Sequence, residues 1–230
     1  MNHRLRVIAE SYGTVGFMVT TLEPPKPKLR GWLHFGAGPL ALVLGLILMT
    51  VTPTTAERAA VAVYVATTVL LFGVSAAYHL GAGTPRVNTF LNRLDHANIY
   101  LFIAGSYTPF AVALGGTLQW VILGLVWTIA AIGLITRVAW WSAPRWLAVG
   151  SYIALGWVAV FFLPQMWSSL GATAVLLTAL GGLLYTAGGV VYARKWPDFH
   201  RGWFGFHELF HALTIAAYLV QYAAIAMVVT

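Results

Sequence analysis

The sequence predicts an all-α membrane protein with seven transmembrane helices, called spans one to seven below. Hydrophobic residues make up 60% of the 230-residue chain and charged residues only 8%, whereas about a quarter of the residues of an average soluble domain are charged. Because so few charges could not keep so apolar a surface in water, a soluble fold is excluded. The charges are also separated by long apolar runs, and a helix needs about 20 such residues to cross the hydrocarbon.

These apolar runs define the spans in chain order. Five nearly charge-free intervals are present, at residues 31–56, 59–85, 97–136, 146–193 and 205–230. The third and fourth intervals are each long enough for two helices. We predict that Gly115 and Gly116 form the turn between spans three and four. The chain is predicted to turn between spans five and six at residues 164–169.

The chain is predicted to have two parts, a cytoplasmic N-terminal segment of residues 1–30 and a transmembrane domain of residues 31–230. Apolar residues recur at helical spacing within residues 5–15, which predicts a short helix on the membrane surface. The proline-rich residues 23–27 would then form a linker, and a disordered tail is the alternative. Glu10 interrupts the apolar run and no clear cleavage site follows it, which argues against a signal peptide.

Lysine and arginine are distributed unevenly between the two sides of the predicted bundle. Twelve of the thirteen precede span one or lie in the connections on that side, and Arg58 alone lies on the other. By the positive-inside rule the N-terminus is cytoplasmic and the C-terminus extracytoplasmic. The net charge of +7 then reflects topology and contact with anionic lipids. Membrane lipids are the predicted partners, and no basic-aromatic module indicates nucleic-acid binding.

Ionisable side chains from three spans are predicted to meet in one layer near the cytoplasmic face. His79 lies at the cytoplasmic end of span two, and Asp95 and His96 lie at the cytoplasmic start of span three. Span seven starts on the same side with His207 and His211. Ionisable residues within spans usually face the interior of the bundle and mark a functional site. The topology therefore predicts a shared site.

His207 and His211 are one helical turn apart, with Glu208 between them in an H-E-x-x-H pattern. The chain has no cysteine, so a metal must be held by nitrogen and oxygen atoms. Catalytic zinc usually has three protein ligands and one open position. We favour His79 as the third ligand, with His96 as its competitor.

The pattern indicates zinc more strongly than it indicates a peptidase. In soluble zinc peptidases the third ligand normally follows the motif, but the nineteen residues after His211 contain no His, Asp or Glu. Glu208 is interpreted as a solvated charge at the helix start, favoured by the helix dipole, or as a group that reaches water at the metal. His34 is predicted to lie alone at the interfacial start of span one, and His3 and His200 to be solvated.

Hydroxyl and amide side chains continue the ionisable layer into the membrane at helical spacing. They are Ser75 and Thr68 on span two, Asn98 and Ser106 on span three, and Thr214, Tyr218 and Gln221 on span seven. Such stripes predict a polar, hydrated cavity. Hydrogen bonds that only hold the helices together are the alternative.

Three blocks of sequence resemble the signature blocks of the hemolysin III proteins, the bacterial branch of the progestin and adipoQ receptor family. They are SAAYHL at residues 75–80, RLDHANIYLFIAGSYTPF at 93–110 and GWFGFHELFHAL at 202–213, and the resemblance covers residues 25–230. It implies a multi-pass protein of the bacterial inner membrane. It also implies a zinc ion near the cytoplasmic face, held by His79, His207 and His211, with Asp95 and Ser75 in contact with its water.

Three functions remain open at the level of sequence. Related membrane proteins hydrolyse ceramide amides, so the first is a zinc-dependent hydrolase of lipid amides or esters in which Asp95 and Ser75 are catalytic. The second is a receptor-like or membrane-perturbing protein with a structural zinc. The third is an iron site made by His207, His211 and Asp95, since two histidines and one carboxylate are a known iron ligand set.

Overall fold

A computed structural model of the protein describes residues 27–81, 83–140, 142–200 and 202–230. It confirms an all-α fold with seven helices that are long and apolar enough to cross a membrane. In chain order the spans are Trp32–Val51, Thr55–Leu80, Pro85–Leu114, Gly116–Ala139, Arg145–Leu170, Ala172–Arg194 and Phe206–Val229.

The two predicted internal turns have different outcomes. Gly115, with a φ of 66°, separates spans three and four as predicted. The boundary between spans five and six lies at Gly171, with a φ of 85°, and not at residues 164–169. Span five continues through a 3-10 turn at Trp157–Phe162, and Pro164 lies in the first turn of the helical segment after it. A proline has no N–H to leave unpaired in a first turn, so it continues the span.

Close packing of span six against span seven positions two of the three candidate ligands. A Cβ atom at Gly188 would lie 3.3 Å from the Phe210 ring, and one at Gly181 would lie 2.9 Å from the side-chain oxygen of Gln221. Small residues allow helices in a membrane to approach closely. Span seven, which carries His207 and His211, is thus held against the bundle along much of its length.

The start of span one is attached to the loop that precedes span seven. The predicted surface helix and most of the linker fall in residues 1–26, which lie outside the described residues. From Pro27 onward the chain follows the loop, where the Lys28 N–H donates to the Gly202 carbonyl at 3.0 Å. The Lys28 ammonium lies 4.3 Å from the centroid of the Trp203 ring. The first and last spans are thereby joined at one end of the bundle.

The basic side chains give the first testable prediction, which concerns orientation. Those in the described residues lie at or near one end of the bundle, apart from Arg58, which donates to the Thr52 carbonyl at 2.7 Å near the other end. We expect alkaline phosphatase fused after Thr230 to be active, as it is only outside the cytoplasm, and a fusion in the Lys195 loop to be inactive. Fluorescent-protein fusions at both positions should show the reverse. The same response from both positions would contradict the seven-span topology.

Candidate metal centre and adjoining cavity

Three histidines from two spans converge at this end of the bundle. His207 and His211 lie on one face of span seven with ring centroids 4.6 Å apart. His79, in the last turn of span two, lies opposite them, and its Nε2 atom is 3.2 Å from the Nε2 atom of His207. One ring nitrogen from each histidine lies within 4.8 Å of the other two. The structure therefore brings together the three residues that the sequence nominated as ligands.

The spacing of these nitrogens suits a tetrahedral metal ion. Zinc binds imidazole nitrogen at about 2.0–2.1 Å, so two nitrogens on one tetrahedral ion are about 3.3 Å apart. The 3.2 Å between His79 and His207 is close to that value. His211 has only 3% of its surface exposed, which means that little water competes for its ring. A metal such as zinc fits this donor set.

Asp95 and Ser75 lie beside the three nitrogens. The Oδ2 atom of Asp95 is 3.7 Å from the Nε2 atom of His79, and Ser75 and Asp95 both line the cavity beside the histidines. Ser75 precedes His79 by one helical turn, so both reach the start of span three from the same face of span two. The group of three mutually close ligand atoms includes His79 and does not include Asp95. This arrangement favours three histidine ligands over the two-histidine, one-carboxylate alternative.

His96 lies close to this site but outside the three-nitrogen group. Its Nδ1 atom is 2.9 Å from the Asn92 carbonyl oxygen one turn earlier, and its Nε2 atom is 3.2 Å from the Tyr192 hydroxyl. Both ring nitrogens therefore have hydrogen-bond partners away from the metal centre. His79, and not His96, belongs to the group of three mutually close ring nitrogens.

The prediction for His34 was wrong. This side chain is not alone at the interface but is buried against span seven, with 3% of its surface exposed. Its ring stacks on that of His211, with centroids 3.8 Å apart and planes 7° from parallel. The cause is the attachment of the start of span one to the loop before span seven, which brings the first turn of span one against the histidines. The sequence feature that could have indicated this buried contact is the presence of a histidine in an otherwise charge-free interval. His200 is exposed, as predicted, and His3 lies outside the described residues.

The interpretation of Glu208 as a solvated charge was also wrong. Its side chain is buried, with 1% of its surface exposed, and one oxygen accepts a hydrogen bond from Arg30 Nε at 2.7 Å. The other oxygen accepts from the Gly205 N–H at 2.9 Å. Both carboxylate oxygens thus have hydrogen-bond donors. Glu208 is not a solvated charge, and its pairing with Arg30 keeps a buried carboxylate from being left alone.

A cavity extends from the histidines into the bundle. On span seven its lining runs from His207 to Gln221, about 21 Å at 1.5 Å per helical residue. Ser75 and Asp95 contribute to the lining near the histidines. Farther along, most of the lining residues are aliphatic or aromatic, among them Phe102.

The predicted polar lining is present in part: Ser75, Ser106, Thr214 and Gln221 line the cavity, whereas Thr68, Asn98 and Tyr218 do not. Ser106 donates to the Ile103 carbonyl at 2.7 Å, and Thr214 donates to the Phe210 carbonyl at 2.9 Å. Thr68 likewise donates to a carbonyl of its own helix, and Asn98 reaches across to the Leu70 carbonyl of span two. The hydrogen-bond donors of these side chains are thus paired with helix carbonyl oxygens, as is required where no water is available. Three of these four hydrogen bonds stay within one helix, and that of Asn98 joins spans two and three.

Comparison with known proteins identifies the family of this chain. The sequence model of the haemolysin-III related family matches residues 22–222. Hemolysin-3 of Bacillus cereus is 29% identical over 167 residues, which are 70% of this chain and 75% of that protein. The hemolysin-3 homolog of Bacillus subtilis (strain 168) is 34% identical over 96 residues, 41% of this chain and 45% of that protein. The chain is thus a multi-pass membrane protein that belongs to the haemolysin III family.

Proposed function

We propose that this protein is a zinc-dependent hydrolase of an amide or ester bond in a membrane lipid. The observation that carries the proposal is the position of the Asp95–Ser75 pair, beside three convergent histidines and at the end of a long apolar cavity. The positive-inside asymmetry supports a position of this site near the cytoplasmic face, and the bacterial inner membrane is the proposed location. His79, His207 and His211 would hold the metal.

The residues around the metal centre have complementary tasks in hydrolysis. A bound zinc ion supplies a Lewis acid that makes water more acidic and polarises a carbonyl group. Asp95 accepts the proton of the attacking water as a general base, and Ser75 holds the same water. The water oxygen bonds to the acyl carbon, and the bond from that carbon to nitrogen or oxygen breaks. Asp95 returns the proton to the leaving group, which leaves as an amine or an alcohol beside a free fatty acid.

The apolar cavity would hold the acyl chain. Half of a hydrocarbon core of about 30 Å is about 15 Å, and this is the depth that the chains of one leaflet fill. The cavity extends about 21 Å along span seven at 1.5 Å per residue, so it can accept a lipid tail whose carbonyl remains beside the histidines. Aliphatic and aromatic lining favours such a chain over a polar peptide.

One observation favours the alternative of a structural metal in a receptor-like or membrane-perturbing protein. The three histidines join span two to span seven, and a metal there would pin the two helices together. A closed structural site needs neither a carboxylate beside the ligands nor a cavity that leads to them. Asp95 and the cavity therefore favour hydrolysis.

Lipid hydrolysis by purified protein tests the proposal. We expect detergent-purified protein to release fatty acid from an N-acyl amide lipid or from a monoacyl ester, measured by mass spectrometry. Chelation should abolish the release and added Zn²⁺ should restore it. The His200→Ala variant, changed at an exposed residue outside the site, should remain as active as the unmodified protein. Zinc-loaded, folded protein that releases no fatty acid from either class of lipid would favour the structural alternative.

A further inference from the structure

A second cavity, called the vestibule here, adjoins the histidines at the end of the bundle that carries the basic residues. It has a volume of about 440 Å³ and is lined by the guanidinium-bearing residues Arg30, Arg137 and Arg145, together with His79 and His207. Its volume is far larger than the roughly 30 Å³ share of one water molecule in the liquid. The vestibule thus has room for a lipid head group.

The charge of the vestibule is one-sided. None of the described residues that line it is acidic. Arg30 is paired with Glu208 at 2.7 Å, whereas Arg137 and Arg145 come from the two helix ends that flank the connection between spans four and five. Arg145 is half-buried, with its guanidinium carbon 4.7 Å from the centroid of the Tyr192 ring. Stacking on an aromatic face holds the planar guanidinium in place.

The vestibule and the apolar cavity meet at the candidate metal centre. They share His96, Val149, Tyr152, Tyr192 and His207 as lining residues. An amphiphile that occupied both would have its chain in the apolar cavity, its acyl linkage beside the histidines and its head group among the arginines. Guanidinium groups bind phosphate oxygens through paired, charge-assisted hydrogen bonds.

We propose that the vestibule binds a phosphate-bearing head group, so that the lipid this protein takes is an anionic phospholipid or lysophospholipid. The identification of that lipid as a substrate rests on the proposed hydrolase function, but its binding does not. Arg137 and Arg145 are the residues that select it. Each guanidinium group can give a phosphate oxygen charge-assisted hydrogen bonds, which are stronger than those it gives to a neutral head group.

Binding of ether-linked lipids tests this inference without any turnover. The probes are a 1-O-alkylglycerol 3-phosphate and the matching 1-O-alkylglycerol, neither of which has an acyl bond, added to protein in micelles of an alkyl maltoside, a detergent with neither phosphate nor acyl bond. We expect the phosphate lipid to bind at least about tenfold more tightly, since a charged hydrogen-bonded contact changes affinity by that order. Arg137→Gln and Arg145→Gln should each remove most of this preference and leave binding of the neutral lipid unchanged.

Arg86→Gln is the matched control, because Arg86 is exposed at the same end of the bundle and does not line the vestibule. An equal loss in this variant would mean that general surface charge, and not the vestibule, attracts the lipid, and would overturn the inference. Equal affinity of the unmodified protein for the two lipids would overturn it as well. Inorganic phosphate provides the second arm. Weak competition with the phosphate lipid supports a head-group site, whereas binding as tight as that of the lipid itself would indicate a site for free phosphate and overturn the lipid assignment.

The result also separates this inference from the proposed function. If the protein released fatty acid from neutral lipids and showed no preference for the phosphate lipid, the head-group inference would be wrong and the hydrolase proposal would stand. If the protein preferred the phosphate lipid through Arg137 and Arg145 but hydrolysed no lipid, it would be a lipid-binding protein and the hydrolase proposal would be wrong.

Discussion

Alanine at any one of His79, His207 and His211 is expected to empty the metal centre. Each ring contributes one of only three protein nitrogens, which lie within 4.8 Å of one another, and the small alanine side chain offers no replacement. Binding of zinc to a site with its full ligand set is worth roughly 10 kcal/mol or more, so the loss of a ligand should weaken it by several orders of magnitude. Metal analysis of detergent-purified protein should show about one zinc per chain in the unmodified protein and little in each variant.

Two controls make the metal result specific. The His200→Ala variant should keep its zinc, since His200 is exposed in the loop before span seven. His96→Ala should keep it as well, because the ring nitrogens of His96 contact Asn92 and Tyr192. Full zinc occupancy in His79→Ala would move the third ligand to another residue. Purification without oxygen, followed by the same analysis, distinguishes zinc from iron.

Asp95→Asn is expected to keep most of the zinc and to lose nearly all release of fatty acid. Asparagine has the same shape as aspartate but cannot accept the proton of the attacking water, and general-base catalysis contributes about 10²–10⁴-fold to a rate. Asp95 lies 3.7 Å from His79 Nε2 and outside the three-nitrogen group, so the ligand set should survive the change. Zinc content and fatty-acid release should be measured on the same preparation.

Ser75→Ala gives the matched comparison for Asp95→Asn. Ser75 is proposed to hold the attacking water beside Asp95 and is not one of the three grouped ligands, so its loss should slow the reaction less than the loss of Asp95 itself and should not change zinc content. An Asp95→Asn variant without zinc would make Asp95 a ligand. An Asp95→Asn variant that hydrolysed lipid at the rate of the unmodified protein would show that Asp95 is not the general base.

Several features of this protein follow from its sequence alone. Hydropathy and charge spacing predict the seven spans, because crossing the hydrocarbon requires an apolar run of fixed length in any arrangement of helices. The pairing of His207 with His211 follows from the period of the helix. The placement of His79 at the same depth follows from the alternating direction of successive spans. These properties depend on distances along the chain, which a sequence contains.

Only the tertiary structure decided which side chains face one another across helices that are distant in sequence. The stacking of His34 on His211 and the pairing of Arg30 with Glu208 both join span one to span seven. These contacts depend on the rotation of each helix about its axis and on the neighbours it packs against, which helical spacing leaves free. The lining of the apolar cavity depends on the same rotations and neighbours. Helical spacing puts polar side chains on one face of a span, and only the packed structure shows that Ser106 and Thr214 line the cavity while Thr68 and Asn98 do not.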